Sequence, residues 1–257
     1  MANAELEFII AGYRKTLKVE FEELLNDARK DLPELDSLFQ EIEANRGIKI
    51  SFGSELKNKV EKYHGFAKKI NPDFQSEVEQ FSETAYSLKD KSEFIRGPLK
   101  EVSRILEKLV LDKEYDQNPA NIKDIIRNKI VIIEDPREKI KKVEEELTEA
   151  GFNVIKVNYK NDDLIPYCEI QTYLDFKITV DFRGVQSEIV ISTPEMAVAT
   201  NIEHRIYEIR RTIGKENTPK TKLDDPYYRL RIALSRVSKA FYREAGKRID
   251  KRTELLN

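Results

Sequence analysis

Two carboxylates in this chain stand at the ends of apolar, β-branched runs: Asp124 ahead of Ile125-Ile126, and Glu188 ahead of Ile189-Val190-Ile191. Carboxylates at the ends of adjacent strands can share one Mg²⁺, and such an ion binds nucleotide phosphates and lowers the charge that a nucleophile must approach. A third stretch, Glu203-His204-Arg205-Ile206-Tyr207, adds an acid and an imidazole to the set. Each residue alone has an ordinary explanation. An Asp before a strand caps turns, most lysines in a highly charged chain keep helix faces wet, and a single His can be a satisfied helix residue packed over a sheet. The joint order of the three stretches is what points to a nucleotide site.

For Asp124 and Glu188 to share a site, their elements must be neighbours in one sheet. Residues 129–133 form a β-branched run ending at Asp135-Pro136. A helix is expected over 137–150 with Gly151 as its stop, then a strand over 152–159. Strand, helix, strand in this order implies neighbouring strands joined by a crossover. A long alternating stretch over 167–182 turns at Arg183-Gly184 into 185–192, an antiparallel hairpin. Upstream, 99–111 reads helical behind Gly97-Pro98. Apolar residues at helical spacing mark 5–32, and two further helices over 52–70 and 74–94 are separated by Asn71-Pro72. The expectation is an α/β (α+β) fold, a mixed sheet flanked by helices, with an N-terminal helical region and a long C-terminal helix.

Composition narrows the chemistry. The 257 residues are 40% hydrophobic and 36% charged, with a net charge of −2, which suits long helices with wetted faces. Cys168 is the only cysteine and His64 and His204 are the only histidines, so an internal disulfide, a cysteine-based zinc site and a histidine-rich metal centre are all excluded. Mg²⁺ on carboxylates is the metal this inventory allows. No run of about eighteen apolar residues exists and the first residues are acidic, so cytoplasmic residence without membrane contact is expected.

In order and spacing, the middle of the chain resembles the synthetase domain of the RelA/SpoT family, which moves pyrophosphate from ATP onto the 3′-hydroxyl of GDP or GTP. Pro98-Leu99-Lys100 through Arg104-Ile105-Leu106-Glu107-Lys108 looks like the family's Arg-x-Lys-x-x-x-Ser-x-x-x-Lys segment, with Lys100 and Lys108 matching, Pro98 for Arg and Arg104 for Ser. Lys123-Asp124-Ile125-Ile126-Arg127-Asn128-Lys129 looks like Asp-Ile-x-Gly-x-Arg, with Arg127 for Gly and Lys129 for Arg. Pro166-Tyr167-Cys168-Glu169-Ile170-Gln171 takes the place of Tyr-Arg-Gly-x-His, of which only Tyr167 and an apolar residue survive. Glu188-Ile189-Val190-Ile191-Ser192-Thr193 resembles Glu-Ile-Gln-Ile-Arg-Thr, with Ser192 for Arg, and the Glu203-His204 pair ahead of Tyr207 resembles the helix that follows.

The resemblance implies a nucleotidyltransferase-like fold and a division into a helical region over 1–94, a synthetase domain over 95–213 and a basic helix over 214–257. It implies Asp124 and Glu188 as catalytic residues and Mg²⁺ ligands. Lys100, Lys108, Arg104 and Lys129 are expected on the ATP phosphates, and Tyr167, Gln171, Glu203 and His204 on the acceptor. Donor-side residues are mostly kept while the acceptor segment has changed, so the acceptor is expected to differ more readily than the chemistry. Three readings follow: (p)ppGpp synthesis, a toxin-like enzyme that pyrophosphorylates the 3′ end of tRNA and needs an antitoxin, or a degenerate domain that binds nucleotide and acts through its helices. With so few histidines the hydrolase motif of larger family members is not expected, nor, at this length, their ribosome-sensing domains.

Two segments stay open. The N-terminal helices either pack onto the catalytic part or mediate homo-oligomerisation, gating or partner binding. Asp224-Asp225-Pro226 caps a last helix in which nine basic residues between 229 and 252 face only Glu244 and Asp250, with Tyr227, Tyr228, Phe241 and Tyr242 interleaved. Such a face meets either a polyphosphate such as RNA or the carboxylate-rich N-terminal helix.

Overall fold

The computed structural model describes residues 2–45, 53–89, 91–111, 115–158, 167–169, 175–215 and 225–256. Among them are α1 (Ala2–Asp31), α2 (Leu35–Asn45), α3 (Ser54–Thr84), β1 (Ser92–Arg96), α4 (Val102–Leu111), β2 (Ile126–Ile132), α5 (Pro136–Glu149), β3 (Asn153–Asn158), β4 (Phe176–Phe182), β5 (Val185–Ser192), α6 (Pro194–Lys215) and α7 (Pro226–Leu256). The chain divides into two units. One comprises Met1–Leu6, Ile50–Asp163 and Asp175–Thr193, and the other Glu7–Lys49, Leu164–Leu174 and Pro194–Asn257. The sheet, α3, α4 and α5 lie in the first; most of α1, with α2, α6 and α7, lies in the second.

The sheet is mixed, in the order β1-β2-β5-β4-β3, with β2 and β5 parallel and the other pairs antiparallel. Residues paired across strands share a face, so the register sorts the side chains. Ile126, Ile130 and Ile132 of β2, Ile189 and Ile191 of β5, and Phe176, Ile178, Val180 and Phe182 of β4 lie on one side and are buried. Helices α3 and α5 cover that side: Phe74 of α3 meets Phe182 edge to face at 5.1 Å, and Phe81 meets Phe152 at 6.0 Å. Arg127, Lys129, Glu188, Lys177 and Thr179 lie on the other side. The β4–β5 hairpin turns on Arg183 (φ 54°) and Gly184 (φ 83°), a pair of left-handed residues whose twist matches the strands. Arg183 tolerates that backbone while its guanidinium bridges Asp73 and Glu77 of α3.

The mixed sheet, the helical N-terminal part and the long C-terminal helix are as expected, with differences in detail. First, α3 runs unbroken through Pro72. Proline forfeits one backbone bond there, but Ala67, Ile70, Phe74, Val78 and Phe81 form one buried stripe on both sides of it, and that burial outweighs the lost bond. Second, 92–96 is a strand, not the end of a helix: α3 stops at Thr84, and Ser92–Arg96 pairs with β2 over its full length. Third, β2 and β3 are not neighbours. β5 and β4 insert between them, so the crossover through α5 reaches the far edge. The alternating stretch also becomes β4 only at Phe176, and Tyr167–Glu169 is a turn of 3₁₀ helix. Among the described residues no helix is long and apolar enough to cross a membrane.

Gly97, just after β1, packs so closely on β2 that a Cβ would run into the carbonyl oxygen of Arg127. Gly97→Ala is therefore expected to destabilise the protein by about 1–3 kcal/mol, as overpacking does. Gly12→Ala, in the open on α1, should stabilise it by about 0.5–1 kcal/mol through helix propensity. Urea unfolding of the two variants gives opposite shifts of midpoint if the close approach of Gly97 is correct.

Candidate active site

Asp124 sits in a turn held at both ends. Ahead of it Pro119–Asn121 forms a 3₁₀ turn capped by the Asn118 side chain, and Ile122 and Ile125 on either side are fully buried. Lys100 is brought to it by the main chain, its N–H donating to the carbonyl of Ile125 at 2.9 Å. Lys108 arrives from α4, which packs through Ile105, Leu106 and Leu109. Lys108 Nζ lies 2.9 Å from both Asp124 oxygens and Lys100 Nζ 3.0 Å from Oδ2. Arg104, one turn before Lys108 on α4, pairs with Glu107 at 2.8 Å.

The three groups keep only 13–19% side-chain exposure. Burial by itself would raise the Asp124 carboxyl, but the Lys100 and Lys108 ammonium groups outweigh it and hold it at about 2. Burial also lowers Lys100, against the opposing pull of Asp124. The cluster is thus one carboxylate shared by two cations, a net positive charge in a partly desolvated place. It suits anionic phosphate oxygens.

A second cluster occupies the side of the sheet opposite α3 and α5. Lys177 Nζ lies 3.2 Å from Glu188, whose side chain is 12% exposed, and Lys129 Nζ lies 3.5 Å from Asp175, which is fully buried. Asp175 also accepts the Ser192 hydroxyl at 2.5 Å, and burial raises its carboxyl despite Lys129 and Ser192. Lys129 on β2 and Lys177 on β4 flank the same residue, Val190 of β5, so the two ion pairs straddle it from opposite sides.

The adjacency required of Asp124 and Glu188 is present in the sheet: β2 and β5 are parallel neighbours, with Ile126 opposite Ser187 and Arg127 opposite Glu188. Lys100 and Lys108 join Asp124, whereas Lys129 joins Asp175 and Arg104 joins Glu107. The residues expected on the acceptor fall in the other unit. Tyr167 is 1% exposed there and its N–H donates to Asp250 of α7 at 2.8 Å. Glu203, also buried, accepts hydroxyls from Ser238 and, at 3.2 Å, Tyr242, so it ties α6 to α7; burial raises its carboxyl. His204 is exposed on α6, 6.5 Å from the Tyr207 ring. Gln171 lies outside the described residues. Asp175 and Lys177 were missed, although the two-residue turn at Arg183-Gly184 fixes the hairpin register and so places both beside the Glu188 row.

Asp124 gives a testable linkage. Its carboxyl is depressed from 3.8 to about 2, so its contribution to stability is complete above 3.8 and is lost as pH falls through about 2. Asp124→Asn leaves two half-buried ammonium groups without their anion, and at neutral pH should cost about 3 kcal/mol, the low end for breaking a buried pair. The gap between variant and parent, read from urea unfolding at stepped pH, should close between pH 4 and pH 2. A gap that stays constant would remove the depressed carboxyl.

No family model matches the chain. Over 108 residues, 42% of the chain, it is 31% identical to the (p)ppApp synthetase toxin Tas1 of Pseudomonas aeruginosa (strain UCBPP-PA14), and the match spans only 22% of that toxin's length. The fold resembles the small alarmone synthetase 1 of Bacillus subtilis with a TM-score of 0.50 and 20% identity, covering 76% of this chain and 96% of that one. The same synthetase bound to its product pppGpp gives 0.50 and 19%, again over 76% and 96%. In local sequence the chain is thus similar to the synthetase toxin and in fold to the small alarmone synthetase 1, both in line with the resemblance of its motifs to the RelA/SpoT synthetase domain.

Proposed function

We propose that the chain is a pyrophosphokinase that moves the β,γ-pyrophosphoryl group of ATP to the 3′-hydroxyl of a nucleotide. The observation that carries this reading is Asp124 held between Lys100 and Lys108 in the turn that leads into β2, the strand paired with the Glu188 strand β5. In the proposed step the hydroxyl oxygen attacks the β-phosphorus of ATP, the bond from that phosphorus to the α,β-bridging oxygen breaks, and AMP leaves. Glu188 accepts the hydroxyl proton, its carboxylate kept in place by Lys177. Lys100 and Lys108 exchange part of their contact with Asp124 for phosphate oxygens, while Lys129 and Arg104, paired with Asp175 and Glu107, are given no phosphate contact.

Asp124 and Glu188 are the residues that would hold a Mg²⁺ ion in this reading. Among the described residues no cluster of three or more metal-ligating side chains exists, and Mg²⁺ in nucleotide sites is commonly held by one or two carboxylates with phosphates and water completing its shell. Asp124, ionised well below neutral pH, and Glu188 supply those carboxylates. When bound, the ion would offset charge developing on the phosphates.

A guanosine acceptor is supported by the motif order, and an adenosine acceptor by the name of the relative matched at 31% identity. Tyr167 and Glu203 are engaged within the helical unit, so the proposal gives them no contact with the acceptor, and it gives exposed His204, in the same unit, no contact either.

The test supplies the purified chain with Mg²⁺ and ATP labelled at the γ-phosphate, offering GDP, GTP, ADP, ATP and deacylated tRNA separately. Label should move to a guanosine or adenosine nucleotide, with AMP released in equal amount, and Glu188→Gln should lower the rate by roughly 10²–10⁴-fold. Lys100→Ala should raise KM for ATP as well as lower kcat. Nucleotide binding with no transfer to any acceptor would overturn the enzymatic reading in favour of a binding module.

A further inference from the structure

Helix α7 carries two populations of cation. Arg229, Arg248 and Arg252 are engaged with neighbouring helices of the same unit: Arg229 pairs with Glu34, Arg248 with Glu20, and Arg252 Nε and Nη2 lie 2.8 and 3.2 Å from the two oxygens of fully buried Glu195. Arg236, Lys239, Arg243, Lys247 and Lys251 are exposed instead. At 100° per residue they fall within an arc of about 120°, and at 1.5 Å per residue they extend along about 22 Å of the helix. Among the described residues Arg236, Lys239, Arg243 and Lys251 have no carboxylate partner; Lys247 has Glu244 at 2.6 Å. The acid that falls within the row, Asp250, accepts the backbone N–H of Tyr167 at 2.8 Å.

This row is segregated charge, because the chain as a whole has a net charge of −2. What the row lacks narrows its partner. No large apolar side chain is exposed between residues 236 and 251. A protein interface is anchored by buried aromatic or aliphatic groups, and a membrane-surface helix by an apolar face; neither is present here. The row is also about four helical turns long, more than one nucleotide's phosphates occupy. Long flexible cations repeated once per turn, with no apolar anchor, match a polymer of evenly spaced anions.

We propose that this face of α7 binds the phosphodiester backbone of a nucleic acid, by charge and without reading bases. The binding stands apart from the proposed transfer chemistry, so its test does not use turnover. Fluorescence anisotropy of the full chain with a labelled single-stranded RNA, across a salt series, should show log K falling with log salt at a slope of about −3, near −0.7 per phosphate neutralised. Charge reversal at R236E/K239E/R243E should weaken binding at least 10-fold and flatten the slope by about 2 units, with circular dichroism unchanged. The control K62E/K68E/K69E, on exposed positions of α3, should leave binding within about 2-fold. DNA of the same sequence should bind comparably if the backbone alone is held, and tighter binding of RNA would add its 2′-hydroxyl to the contact. Equal loss in control and reversal variants, an unchanged slope, or retention of polyglutamate but not RNA would overturn the proposal, the last in favour of an acidic protein partner.

Discussion

The parallel ladder between β2 and β5 is the constraint on which the rest of the first unit depends. A parallel pair cannot be closed by a tight turn, so the chain has to travel from the end of β2 back to the start of β5 by a long excursion. Within that excursion lie α5, β3 and β4, and β4 comes back antiparallel to β5 through a two-residue turn. The register that results, Arg127 against Glu188 and Lys129 against Val190, decides which charged groups share a face. With β1 added to the other side of β2, the central strands become buried on the helix-covered side. Polar chemistry is left to the opposite side and to the strand ends.

Charge balance on that side follows from geometry. Val190 has a lysine on each flank, and each lysine finds a carboxylate one step along the strands in opposite directions: Lys177 toward Glu188, Lys129 toward Asp175. A carboxylate as deeply buried as Asp175 would be costly by itself, and the Ser192 hydroxyl together with Lys129 offsets that cost. At Asp124 the ratio reverses, two cations to one acid. One cluster is close to neutral and the other carries net positive charge, which separates a place suited to a proton acceptor from a place suited to phosphates.

Much of this was legible in the residues. Gly151 with φ 92° ends α5 as a left-handed glycine should, Asp135 caps the helix through Arg137 N–H, and Arg183-Gly184 announces its hairpin. What periodicity could not show was long-range pairing. Ser92-Glu93-Phe94-Ile95-Arg96 is short enough to fit a helix or a strand, and only β2 on its flank decides between them. The same limit applied to β2 and β3, whose separation depends on where the later hairpin inserts. Pro72 misled for another reason: a local penalty was weighed without the buried stripe that overrides it. At the site, Lys100 and Lys108 were named through the resemblance of their segment to a family motif, while Asp175 was passed over, although its place opposite Ser192 follows from the hairpin register. Tyr167 and Glu203 were readable as residues but not as packing groups, since their partners Asp250, Ser238 and Tyr242 are far away in sequence.

The two populations of cation on α7 differ in what they require of a side chain, not only in whether they are paired. Glu195 is fully buried and meets Arg252 through two guanidinium nitrogens at once. A planar fork makes that contact, and a lysine ammonium of equal charge cannot. All three positions paired with acids of neighbouring helices are arginine, whereas the exposed row mixes arginine and lysine freely. Along a single helix, therefore, the Arg252 position is specified by the shape of the cation and the exposed row by its charge alone, so arginine and lysine are interchangeable along that row and distinct residues at Arg252.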